Sequence, residues 1–210
     1  MLTPRHILKG TFLWTLPNWS SGALGSVLND WQVAGVWSAS TGQPYAVAYT
    51  YSSGGSNINL TGSPDYAARV RVVGDTGSGC SSDPVRQFSA SAFQGPIAPS
   101  VGLESGNGYL RGCFQSALDT SISKQIRMPG NKTLSFRADI FNILNQAIVT
   151  ARNTSMQLAS PNDPVTIVNL PVDASGNAIP ARAKPNGAGF GVANNYQPPR
   201  TVQLQIRFGF

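Results

Sequence analysis

The last ten residues, TVQLQIRFGF (201–210), alternate without a break. Val202, Leu204, Ile206, Phe208 and Phe210 are apolar, and Gln203, Gln205, Arg207 and Gly209 stand between them. Successive side chains of a β-strand point to opposite faces, so this stretch reads as a strand with one apolar and one polar face. What the apolar face meets decides the fold.

Working outward, the same period of two returns four times. The run beginning at Ile7 sets Leu8, Phe12, Trp14 and Leu16 against Lys9, Thr11 and Thr15. WQVAGVWSAS (31–40) sets Trp31, Val33 and Trp37 against Gln32, Ser38 and Ser40. Leu118, Thr120, Ile122 and Ile126 face away from Asp119, Ser121, Ser123 and Gln125. Leu134, Phe136, Ala138 and Ile140 face away from Thr133, Ser135, Arg137 and Asp139. These patterns predict five strands near 7–17, 31–40, 116–127, 132–145 and 200–210, and no run has the spacing of an amphipathic helix.

The chain has 210 residues, of which 41% are hydrophobic and only 11% charged. A typical soluble domain carries roughly 25% charged residues. Net charge is +6, but the 15 Lys and Arg are scattered, with no basic run interleaved with stacking aromatics, so nucleic acid is not an expected partner. No stretch reaches the ~20 apolar residues of a membrane helix. The N-terminal run is interrupted by Lys9 and Gly10 and does not read as a signal peptide.

Connection lengths alternate. NWSSGALGSVLND (18–30) and the turn MPGN (128–131) are short, whereas 41–115 and 146–199 are long and rich in Gly, Ser, Pro and Asn. Long loops without structure of their own are uncommon in a compact domain. They are routine in transmembrane β-barrels, whose periplasmic turns are short and whose external loops are long. In lipid every backbone amide must be paired internally, so the expected fold is all-β, an antiparallel barrel segment with its apolar side chains turned outward. Trp14, Trp31 and Trp37, with Trp19, then suit the aromatic girdles at the membrane interface. Arg137, Asp139, Gln203, Gln205 and Arg207 fall on the lumenal side. Arg137 and Asp139 could pair with each other, with neighbouring strands, with a plug or with a ligand.

FRADIFNILNQ (136–146) resembles the penultimate strand of TonB-dependent outer-membrane receptors, most closely the Oar-like group with a carboxypeptidase-regulatory-like domain. RVRVVGD (69–75), QFSASAFQGP (87–96), GNGYLRGCFQSALDTSISKQI (106–126) and FGVANNYQPPRTVQLQIRFGF (190–210) resemble, in the same order, the last external loops and final strands of that family's 22-stranded barrel. The resemblance implies energised uptake of a large or scarce solute across the Gram-negative outer membrane. The implied partners are outer-membrane lipid, the rest of the parent barrel, its plug, the TonB complex through that plug, and the barrel-assembly machinery. Leu204, Ile206, Phe208 and Phe210 resemble the terminal signal that this machinery reads. The remainder of the barrel is expected to lie outside this sequence.

Other chemistry finds little footing. Asp75-Thr76-Gly77 matches the aspartic-peptidase triplet, but such enzymes need two carboxylates and no second triplet exists. His6 is the only histidine and no G-x-S-x-G elbow is present, so a serine triad has no frame. One histidine and two cysteines make no zinc pattern, and GAGFGV (187–192) lacks the flanking strand and helix of a phosphate loop. No catalytic residue, cofactor or metal is expected. Cys80 and Cys113 fall in the first long segment, where an oxidising compartment favours a bridge over two free thiols. Arg69, Arg71, Arg86 and Arg111 give that segment a positive bias, diluted by Asp65, Asp75, Asp83 and Glu104. The competing readings are a secreted all-β surface-binding or adhesion module and, more remotely, a D-T-G peptidase.

Overall fold

The structure is a computed structural model and describes residues 4–52, 60–61 and 68–210, so Asp65 lies outside the described residues. Five strands form one antiparallel sheet, labelled here β1 (Ile7–Thr15), β2 (Trp31–Ser40), β3 (Gln115–Met128), β4 (Lys132–Phe141) and β5 (Thr201–Gly209). They lie side by side in chain order. β1 and β5 are its edges.

Register follows from the alternation. Phe12 pairs with Gly35, Val33 with Ile122, Ile122 with Ala138 and Ala138 with Leu204. A slip of one residue in any pair would turn a strand's apolar set to the wrong side. Thr120 apart, every residue in that chain of pairings and its neighbours on the same rows is apolar or glycine until Trp31, Lys124 and Phe136 are reached. Among the described residues Thr120 Oγ1 is buried there without a hydrogen-bond partner.

The two long insertions leave the sheet at one end, where Ser40 pairs with Gln115 and Phe141 with Thr201. At the other end lie the β1–β2 connection, the β3–β4 turn and Phe210. Met128 pairs with Lys132 across that turn. Gly130 and Asn131 close it with φ of 78° and 59°, a left-handed backbone that Gly and Asn tolerate best.

Three expectations need correction. β4 stops at Phe141 rather than 145, because Asn142 (φ 48°) and Asn145 (φ 50°) turn the chain. The Asn142 carboxamide donates to the Gln146 and Pro198 carbonyls, and the Asn145 side chain accepts from the Arg200 N–H. These bonds fix the corner from which β5 departs. The β1–β2 connection contains a helix, α1 (Gly22–Leu28), which the sequence reading passed over because Leu24, Val27 and Leu28 carry the helical period over only seven residues that include two glycines.

The third correction is larger. The long segments are not structureless: Thr41–Cys113 and Ile148–Gln197 form a compact unit of their own with the N-terminal residues. Its core holds Val47, Tyr49, Val70, Phe88, Phe93, Leu110, Met156, Leu158 and Phe190. Phe88 meets Phe93 and Phe190 edge-on, with ring centroids 5.6 Å and 5.0 Å away. Such pairs add ~0.5–1.5 kcal/mol each beyond the area they bury. The strands Ala48–Tyr51 and Ser155–Ser160 run parallel, bringing the two insertions together through their backbones.

Candidate functional site

The two faces of the sheet are the chain's most distinctive chemical surface. One row of the polar face runs Thr15, Gln32, Ser123, Arg137, Gln205 across all five strands. The next row includes Ser121, Asp139 and Gln203, and the row on the other side Gln125, Ser135 and Arg207. A concavity of about 580 Å³ opens on these rows, with Gln32, Gln125, Arg127, Arg137, Gln205 and Arg207 among its lining.

Arg137 pairs with Asp139: Nε donates to Oδ1 at 2.9 Å and Oδ2 at 3.0 Å. The Arg137 side chain is 53% exposed, so the pair contributes no more than about 1 kcal/mol. Asp119 accepts from the Asn142 N–H at 2.8 Å. Arg127 and Arg207, set against Asp30, leave the lining of the concavity with more cations than anions. A wall of hydroxyls, amides and guanidinium groups can hydrogen-bond water, a polar protein surface or a polar solute.

The polar face has an apolar corner that the sequence reading passed over. Leu13 and Val36 share its side and are 70% and 47% exposed.

The opposite face carries Phe12, Trp14, Trp37, Ile122, Val202, Leu204, Ile206 and Phe208, all at least 36% exposed. Burying a side chain of this size stabilises a protein by ~1.5–3 kcal/mol, and this face forgoes that gain within the described residues. Two glycines are covered across the β1–β2 pair: Phe12 lies over Gly35 and Trp37 lies near Gly10. Trp37 Nε1 donates to Ser116 Oγ at 3.2 Å. Trp31 Nε1 donates to the Val27 carbonyl at 3.0 Å. Phe210 extends the face beyond the last pair and is 98% exposed, its ring 6.2 Å from that of Phe208.

Lys124 interrupts the apolar face yet is only 6% exposed. Its ammonium donates to the Val27 and Asn29 carbonyls and lies 5.3 Å from the centre of the Trp31 ring. Sequence reasoning missed this group. The only signal was a cation standing where the alternation requires an apolar residue.

In the inserted unit, Cys80 and Cys113 are joined by a disulfide, Cα–Cα 5.0 Å, beside Val149 and Ala193. Closing a loop of 33 residues stabilises by ~3–4 kcal/mol in the chain-entropy treatment. The arginines of that unit are partly consumed internally: Arg69 Nη1 donates to the Ser105 carbonyl and Arg71 Nη1 to Gln94 Oε1. Arg152 stacks 4.7 Å over the Tyr45 ring, and among the described residues its Nε and Nη2 find no acceptor. Burial pushes the Tyr45 phenol up to about 12 despite that guanidinium. Burial alone would raise the Glu104 carboxyl, but bonds from the Ser100 hydroxyl and nearby backbone N–H groups together hold it below its ordinary value.

Asp75 of the D-T-G triplet sits in an exposed turn, accepting from the Gly77 N–H at 2.9 Å. Among the described residues, no three His, Cys, Asp or Glu side chains gather as a metal site would require.

Residues 2–205 match the family model described as an outer membrane beta barrel domain. No curated protein and no solved structure matches the chain.

Proposed function

This chain belongs to the family of outer-membrane β-barrel domains, and from that premise we propose that it supplies the closing strands of a larger barrel, a TonB-dependent receptor of the Oar-like kind. As an outer-membrane protein it meets hydrocarbon on one face and water on the other. The apolar face is the lipid belt, and the polar rows through Arg137 and Gln205 are part of the lumenal wall. The receptor takes up a large or scarce solute, with energy delivered through a plug domain by TonB. Phe210, with Leu204, Ile206 and Phe208, is the strand signal for assembly.

One observation carries the reading. The sheet has five strands, with edges at β1 and β5 and an exposed apolar face. Single-chain bacterial barrels have an even number of strands, eight or more. Each unpaired backbone group at an edge in hydrocarbon costs several kcal/mol. β1 and β5 therefore need strands from elsewhere in the parent polypeptide. The order of family-like segments from 69 to 210 adds the receptor assignment.

The test is capture. The intact protein carrying this chain, extracted from outer membranes in detergent, should be several times longer than 210 residues and should retain the periplasmic domain of TonB. A long barrel that never retains TonB would overturn the receptor assignment alone. A folded barrel of only these 210 residues would overturn the segment reading.

A further inference from the structure

The β1–β2 connection carries an apolar surface of its own. Leu24, Val27 and Leu28 are spaced i, i+3, i+4 on α1, so they share one helix face. They are 67%, 61% and 44% exposed, and Trp19 just before the helix is 66% exposed. Seven residues are too few for a helix to persist without outside support.

The support comes from below. The Asn29 side chain accepts from the Trp19 and Ser20 N–H groups, and its amide donates back to the Ser20 carbonyl. The C-terminal carbonyls are held from the sheet. Lys124 Nζ donates to the Val27 and Asn29 carbonyls, and Trp31 Nε1 to that of Val27. A cation against the carbonyl end of a helix also complements its dipole.

The parity of those two residues fixes the side. Trp31 and Lys124 are paired and lie on the same face as Val33, Trp37 and Ile122. The helix is thus bound to side chains that project from the apolar face, not the polar one. Lys124 serves this end at a position where an unpaired charge would be expelled from hydrocarbon. Its charge is spent on carbonyls and on the Trp31 ring instead.

We infer that Trp19–Leu28 is an interfacial anchor, seating Trp19, Leu24, Val27 and Leu28 at the headgroup–acyl boundary of the phospholipid leaflet on the short-turn side. The inference rests on the barrel reading, which makes the adjoining apolar face a lipid surface and the short turns periplasmic. Continuity with that face names lipid as the occupant. A short amphipathic helix with an indole beside it binds such a boundary through its buried apolar area. The anchor sets the height of the β1–β2 end in the bilayer.

Depth-dependent quenching tests this. The intact protein is reconstituted into phosphatidylcholine vesicles carrying a doxyl quencher either near the headgroup or near the end of the acyl chain. Difference emission between native protein and the Trp19→Phe variant isolates Trp19, and the Trp37→Phe variant isolates an indole of the strand face. Trp19 should emit to the blue and lose most of its emission to the shallow quencher, and less to the deep one. Quenching of Trp37 with no quenching of Trp19 would overturn the anchor and leave the barrel standing. Absence of quenching at both would overturn the two together.

Discussion

At the residue scale, chemistry and position separate cleanly at Phe210. A phenylalanine that is 98% exposed, touching the ring of Phe208 beside it, adds little to the packing of the chain that carries it. The proposed role, a signal read by the assembly machinery, needs that exposure. If Phe210 is that signal, deleting it from the intact protein should lower the amount of heat-modifiable barrel in outer-membrane fractions and raise the amount of protein in the periplasm. Unchanged outer-membrane levels would count against the signal. The place of Phe210 at the end of the apolar face was legible because it continues a strict alternation from Val202. Lys124 was not, because its partners are the Val27 and Asn29 carbonyls, almost a hundred residues away in sequence. No spacing rule connects them.

At the scale of elements, alternation is a strong guide where each side meets a different solvent. The five strands fall on the five alternating stretches, with ends that differ by no more than two residues except at Asn142. There Asn, a residue read as part of a strand, takes a left-handed backbone and spends its carboxamide on the corner. The strands of the inserted unit were invisible for a different reason. Among the described residues all of them are only two to six residues long, and their core gathers Val47, Phe88, Leu110, Met156 and Phe190 from far-separated points with no common period. The disulfide partners, by contrast, could be named from compartment chemistry alone.

Within the sheet, the pairing of Phe12 with Gly35 is a steric agreement between neighbours. A Cβ placed at Gly35 would fall 2.3 Å from the Phe12 ring. Gly35→Val should therefore destabilise the folded barrel by about 1–3 kcal/mol, the usual cost of overpacking. The effect should shrink when Phe12 is replaced by Ala in the same molecule, because contacting residues couple. Urea unfolding of the four proteins in detergent reads this directly. Strict additivity would show that the ring moves aside at no cost and that the aromatic cover over the glycine is incidental.

At the scale of the whole molecule, the proposed placement puts the apolar face of the sheet in lipid and the polar face on water. Five strands of matched parity, two open edges and membership of the outer-membrane barrel family converge on it. The competing reading, a secreted surface-binding module, would bury the same apolar residues against protein. The two differ most sharply on β5, where every side chain from Thr201 to Phe208 is exposed in this chain. Spin labels placed one at a time at positions 202 to 208 of the intact protein in a bilayer measure which solvent each position meets. Collision with oxygen should peak at Val202, Leu204, Ile206 and Phe208, and collision with a water-soluble nickel chelate at Gln203, Gln205 and Arg207. A profile without that period of two, or with its phase reversed, would contradict that placement.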